Sequence, residues 1–154
     1  MENKIVFLKG DATAPSSKGT KIIAHICNDI GGWGKGFVLA LSKRWTEPEK
    51  DYREWHRNKK GFSLGEMRLI QVEPYIYVAN MIAQRGIKTG SKGVPIRYDA
   101  VEKCLSTLSV EAAKLNASVH MPRIGCGLAG GKWEKIEPLI EKTLHGIPVY
   151  VYDF

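Results

Sequence analysis

Two glycine-rich loops, each entered from an apolar run and each leading toward a helical pattern, constrain this chain more than any other feature. The first is His25-Ile-Cys-Asn-Asp-Ile-Gly-Gly-Trp-Gly-Lys-Gly-Phe37, and the second is Arg123-Ile-Gly-Cys-Gly-Leu-Ala-Gly-Gly-Lys-Trp133. A strand that ends in a glycine turn and feeds a helix offers free backbone N–H groups and a positive helix end to an anion. Strands alternate with helices along the rest of the chain. KIVFL (Lys4 to Leu8), KIIAHIC (Lys21 to Cys27), Glu66 to Val72, Tyr75 to Ala83, Ser118 to Met121 and Val149 to Tyr152 read as strands. Lys21 to Cys27 has the near-continuous apolar run of a strand buried on both faces. Glu73-Pro74 separates two strands as a hairpin would. Helices are expected over Phe37 to Trp45, Pro48 to Asn58, Arg97 to Leu115 and Glu134 to Leu144, the last ended by Gly146. Val101, Leu105, Leu108 and Ala112 fall at helical spacing and face the core, while GIKTGSKGVP (Gly86 to Pro95) reads as a mobile loop. The expected fold is a three-layer α/β/α domain over residues 1–154, with a mixed, mostly parallel six-stranded sheet. Ligands of such sheets bind at the carboxyl ends of central strands, where both glycine loops fall.

Composition narrows the function. The chain of 154 residues suits one domain, and no apolar stretch is long enough to span a membrane. The opening MENKIVFLKGD is too short and charged for a signal peptide, so the expected setting is the cytoplasm. Three cysteines without a CxxC pair and four scattered histidines predict no disulfide framework and no metal site. The net charge of +7 points to polyanionic partners, phosphorylated small molecules or nucleic acid. The basic run from Lys43 to Lys60 is interleaved with Glu47, Glu49, Asp51 and Glu54, the pattern of a solvated helix face.

Two common phosphate motifs fail. The Walker A pattern would need glycine at Asp29 and Ser or Thr at Gly36. The GxGxxG pattern is met by Gly125, Gly127 and Gly130, but too little chain follows to complete a dinucleotide-binding fold.

Lys9-Gly10-Asp11, His25-Ile-Cys-Asn28, Gly32-Trp-Gly-Lys-Gly36, Met121-Pro-Arg-Ile-Gly-Cys-Gly-Leu128 and Trp133-Glu134 together resemble the macrodomain family. The resemblance is to the branch that contains ADP-ribose-1″-phosphate phosphatases and terminal ADP-ribose protein glycohydrolases. It implies ADP-ribose or ADP-ribosylated substrates as partners and no cofactor. Asp11, with Ala12, would read adenine, since an ionised carboxylate only accepts. Asn28 would contact the distal ribose, unless it merely satisfies its own turn. Gly32, Gly34 and Gly36 would form the first phosphate loop, with Trp33 walling the distal ribose. Gly125, Cys126, Gly127, Leu128 and Ala129, beside Arg123, would form the second. Tyr152 would pack against adenine, and is equally open to a place in the sheet core.

Hydrolytic relatives use a lysine in the strand that here reads Tyr77 to Ala83, or an acid where this chain has Ala129, or an aspartate where it has Lys35. None is present. Catalysis would then be a substrate-assisted water attack oriented by Asn28, with His25 and Asp29 as acid–base candidates and Lys35 holding a terminal phosphate. The alternatives are a non-catalytic ADP-ribose reader and a module in weak contact with nucleic acid. A monomer is expected.

Overall fold

The computed structural model describes residues 5–87 and 93–154. The Lys4 end of the first expected strand and the middle of the Gly86 to Pro95 loop lie outside the described residues. The elements run β1 (Val6–Lys9), β2 (Lys21–Asn28), α1 (Phe37–Arg44), α2 (Glu47–Asn58), β3 (Met67–Glu73), β4 (Ile76–Gln84), α3 (Tyr98–Leu115), β5 (Ser118–Pro122), α4 (Trp133–Thr143) and β6 (Val149–Asp153). They build one six-stranded sheet in the order β1-β6-β5-β2-β4-β3. Neighbours from β1 across to β4 pair in parallel, and β3 closes the edge antiparallel to β4. The sheet is therefore mixed and mostly parallel, and the expected hairpin is β3–β4.

The alternation along β2 shows why this strand sits centrally. Ile22 and Ala24 point into a core shared with Val101, Leu105 and Leu108 of α3 and Ile136 and Ile140 of α4. Ile23 and Cys27 point the other way, against Leu41 of α1 and Tyr52 of α2. Helices thus cover both faces, and a strand buried on two sides needs apolar residues at successive positions. Leu41 and Leu105 have no exposed surface, and truncating either to Ala would cost about 2–5 kcal/mol.

Helix ends follow their local chemistry. α1 opens directly from Gly36, whose φ of 82° no side chain would favour. Pro48 stands in the first turn of α2, and Lys59 caps its other end in the left-handed region. α4 stops at Thr143, one residue before the expected Leu144, which becomes the cap. The parallel strands bring their carboxyl ends to one edge, so the loops after β2 and β5 stand side by side.

Candidate functional site

Between those loops lies a cleft of about 780 Å³, a size that holds a dinucleotide-sized ligand. Its first wall is the loop after β2, including Gly32, Gly34 and Lys35, and the start of α1 at Phe37. Its second wall is the loop after β5, including Arg123, Gly125, Gly127 and Leu128. The loops approach each other at Gly36, where an added Cβ would stand 3.7 Å from Leu128 Cδ1.

Asn28 organises the first loop. Its Oδ1 accepts the N–H groups of Ile30 at 3.0 Å and Gly32 at 2.9 Å, and its Nδ2 donates to the Gly32 carbonyl at 2.9 Å. The Tyr52 hydroxyl lies 2.6 Å from the Asn28 carbonyl oxygen and 2.8 Å from its Oδ1, and accepts the Gly31 N–H at 3.2 Å. Burial pushes the Tyr52 hydroxyl far above its ordinary pKa, so it stays protonated. Asn28 therefore satisfies its own turn and keeps one Nδ2 hydrogen free for a ligand.

The loop glycines divide into two groups. A side chain at Gly31 would strike the His56 ring, one at Gly125 would meet Ile96, and one at Gly131 would run into the Gly125 carbonyl. Those glycines serve the protein's own packing. At Gly34 and Gly127 nothing among the described residues lies within 4 Å of an added Cβ. These two face open cleft from opposite sides.

His25 is 2% exposed and lies on the cleft floor, edge-on to Trp33 at 5.4 Å between ring centroids. Asn80 donates from Nδ2 to the Pro48 carbonyl, which turns its Oδ1 toward His25 Nε2 at 2.5 Å. That fixes the proton of the neutral ring on Nε2. The Nδ1 lone pair is buried without a partner among the described residues. Burial outweighs the Asn80 bond and pushes the pKa of His25 down to about 4, so at neutral pH it is an acceptor.

The remaining predicted residues are placed as follows. Trp33 is 4% exposed and belongs to the core beneath α1 and α2, with Nε1 donating to Ser42 Oγ at 2.8 Å. It offers the cleft only part of its surface, because its glycine neighbours let the indole turn inward. Arg123 lines the cleft while its guanidinium forms a two-bond pair with Asp153 at 2.7 and 2.9 Å. Lys35 and Leu128 are exposed on the rim, and Ala129 is buried on the cleft wall. Asp11, Ala12, Asp29, Cys126 and Tyr152 do not line the cleft. Asp11 and Tyr152 stand near each other, at or just past the carboxyl ends of β1 and β6. Asp11 Oδ1 accepts the Thr13 N–H and hydroxyl at 2.8 and 2.7 Å, leaving Oδ2 with only Arg44 at 3.5 Å. Burial raises the Asp11 pKa, but Thr13 and Arg44 outweigh it and hold the carboxyl below its usual range. Asp29 Oδ1 accepts the Gly86 N–H at 2.8 Å, tying the first loop to the end of β4. Cys126 does not start a helix, since α4 begins at Trp133. Burial raises its thiol pKa, and Sγ contacts the Ile124 carbonyl at 3.4 Å, so no thiolate is prepared there.

Sequence reasoning missed Tyr52, Thr13 and Asn80. Pro48, Tyr52 and Trp55 form the buried stripe of α2 at helical spacing, so a search for polar atoms on that stripe finds Tyr52. Nothing local in the sequence pairs Asn80 with His25. Of the basic run, Arg44 pairs with Asp11 and Arg53 with Glu49, while its interleaved Asp51 pairs with Arg68 of β3.

No protein-family model matches the chain. A solved macrodomain protein from Streptomyces coelicolor is 54% identical, covers 98% of this chain and 99% of its own, and superposes with a TM-score of 0.89. The ADP-ribose 1″-phosphate phosphatase of Saccharomyces cerevisiae is 38% identical over 97% of this chain and 98% of that protein. Chromodomain-helicase-DNA-binding protein 1-like of Mus musculus is 34% identical over 97% of this chain, which spans 18% of that protein and 15% of its Danio rerio counterpart.

Proposed function

This chain belongs to the macrodomain family, and from that premise we propose that its cleft binds ADP-ribose and hydrolyses an ADP-ribosyl derivative. ADP-ribose-1″-phosphate is the first candidate substrate, followed by O-acyl-ADP-ribose and ADP-ribosylated macromolecules. One observation carries the binding reading: Gly34 and Gly127 face open space from opposite loops. A diphosphate between them accepts backbone N–H bonds from both sides, aided by the start of α1. The Oδ2 of Asp11, held only by Arg44 at 3.5 Å among the described residues, keeps acceptor capacity that suits the exocyclic amine of adenine.

In the hydrolytic step, a water held between diphosphate and distal ribose attacks the atom that bears the leaving group. The new O–C or O–P bond forms as the leaving group departs with its electron pair, and the water's proton passes to a diphosphate oxygen. The free Nδ2 hydrogen of Asn28 orients this water, while His25 Nδ1, shut away from solvent, supports the loop and takes no proton from the water. Lys35, exposed on the rim, attracts a terminal phosphate as a point charge.

Calorimetry with ADP-ribose, AMP and NAD tests the binding claim. ADP-ribose is expected to bind best, and equal affinity for AMP would sink it. A panel of phosphate-, acyl- and protein-linked ADP-ribose tests turnover. The second reading, a reader without catalysis, is favoured by Ala129 and Lys35 where hydrolytic relatives carry acids, and by the low basicity of His25. It predicts binding without turnover of any member of the panel. A nucleic-acid module predicts affinity for DNA or RNA that falls steeply with salt.

A further inference from the structure

At the opposite end of the sheet, where β2 and β5 begin, the protein has a second recess of about 180 Å³. Ser17, Lys18 and Thr20 wall it from the segment before β2, Ser118 from the start of β5, and Tyr150 from β6. Among the described residues no carboxylate lines it. Lys18 stands outside the ion pairs found among the described residues.

His120 lies beneath this recess with no exposed surface. Its ring stacks on Tyr150, centroids 4.8 Å apart and planes 6° from parallel. Nδ1 is 2.7 Å from the Tyr152 hydroxyl, and Nε2 is 2.8 Å from Ser118 Oγ and 3.3 Å from Ser17 Oγ. A ring nitrogen has one in-plane position, either a lone pair or an N–H. Ser118 occupies it. Ser17, 3.5 Å from Ser118 Oγ, is left with long contacts only.

The chain of hydrogen bonds can run in two directions. In one, Nδ1–H donates to Tyr152 and the Ser118 hydroxyl donates to Nε2. In the other, the Tyr152 hydroxyl donates to Nδ1 and Nε2–H donates to Ser118 Oγ. The second direction frees the hydroxyl hydrogens of both Ser118 and Ser17 to point outward. With Lys18 beside them, the recess then presents donors and a positive charge, the complement of an oxyanion.

We propose that this recess is a second ligand site, separate from the cleft, which takes a small tetrahedral oxyanion: inorganic phosphate or the terminal phosphate of a phosphomonoester. The Ser17 and Ser118 hydroxyls and the Lys18 ammonium hold it, and its binding selects the Nε2–H form of His120. The site does not depend on what the cleft binds.

The test is a titration of the ¹⁵N-labelled full chain with inorganic phosphate, against potassium chloride at matched ionic strength. The expected result is a saturable shift of the amides of residues 17–20 and 116–118, with the His120 ring moving to protonated Nε2 and bare Nδ1. Ser17→Ala and the surface change Lys18→Gln should each weaken the response about tenfold, while ADP-ribose affinity stays unchanged. Glucose 6-phosphate should reproduce the shifts and glucose should not. Shifts confined to residues 31–37 and 123–131 would place phosphate in the cleft and overturn the proposal. So would an unaltered response in both variants, or glucose acting as well as glucose 6-phosphate.

Discussion

Between Asn28 and Gly36 the chain is held chiefly by side chains, Asn28 and Tyr52 supplying most of the bonds and Asp29, Trp33 and Arg53 adding to them. Between Arg123 and Lys132 the loop holds itself through its own backbone. Gly131 donates to the Gly125 carbonyl at 2.7 Å, Gly130 to Gly127 at 3.0 Å, and Ile96 of the neighbouring segment to Ala129 at 3.0 Å. One loop is thus shaped by polar side chains, its own Asn28 and Tyr52 of α2, and the other by the absence of side chains at its own turns. The first should break when a polar side chain is removed, and the second when a methyl group is added.

The largest effect is expected at Gly131→Ala. The new Cβ meets backbone, the Gly125 carbonyl, which cannot step aside as a flexible side chain does. A loss of about 3 kcal/mol is expected in urea unfolding, with little change for alanine at Gly127, where the space is open. Equal costs at the two positions would remove the distinction within the second loop.

Next comes Asn28→Ala, which strands the Ile30 and Gly32 N–H groups and the Gly32 carbonyl. About 2 kcal/mol of stability should go. Hydrogen exchange should quicken at residues 30–36 and stay unchanged at 125–131. Faster exchange in both loops would contradict their separate support.

Acid offers a third probe, because His25 packs against Trp33 of the first loop. Its folded pKa is depressed to about 4 from 6.5. The unfolded chain therefore binds the extra proton first, so the stability is present above pH 6.5 and is lost as pH falls toward 4. From pH 7 to pH 5 this group should cost about 2 kcal/mol. His120, buried and likewise pushed down to about 4, adds a similar loss away from both loops. The midpoint in urea, followed in the wild type and in His25→Gln, separates the two. An unchanged slope in His25→Gln would show that His25 does not carry its share.

The smallest change in stability and the most direct reading of function come from Gly34→Ala and Gly127→Ala. Neither Cβ meets anything among the described residues, so stability should move by less than about 0.5 kcal/mol. ADP-ribose affinity should fall about tenfold in each. Unchanged affinity in both would mean that the ligand's backbone contacts lie elsewhere.

Sequence and structure agree best where the cause is local or periodic. Lys21 to Cys27 shows the apolar run that burial on both faces demands, and α2 starts and stops where Pro48 and the residues after Asn58 dictate. The macrodomain resemblance rests on the same local strings, and the strand–loop–helix pattern already put both glycine loops at one edge of the sheet. What the sequence hid depends on partners far along the chain. Asn28 is bonded to Tyr52 across 24 positions and His25 to Asn80 across 55. Trp33 sits between glycines yet turns into the core. Gly32, Gly34, Gly36, Gly125 and Gly127 all line the cleft, but the sequence does not show that an added Cβ would meet Ile96 at Gly125 and nothing among the described residues at Gly34 and Gly127. Asp11 and Tyr152, although read as adenine contacts, lie outside the cleft lining, along the same edge of the sheet.

A crystal structure of the chain with ADP-ribose tests the central claim most directly. The diphosphate should lie between the loops, with oxygens about 2.7–3.2 Å from the backbone nitrogens beside Gly34 and Gly127 and adenine toward Asp11. A diphosphate bound away from both glycines, with the cleft between the loops empty, would contradict it.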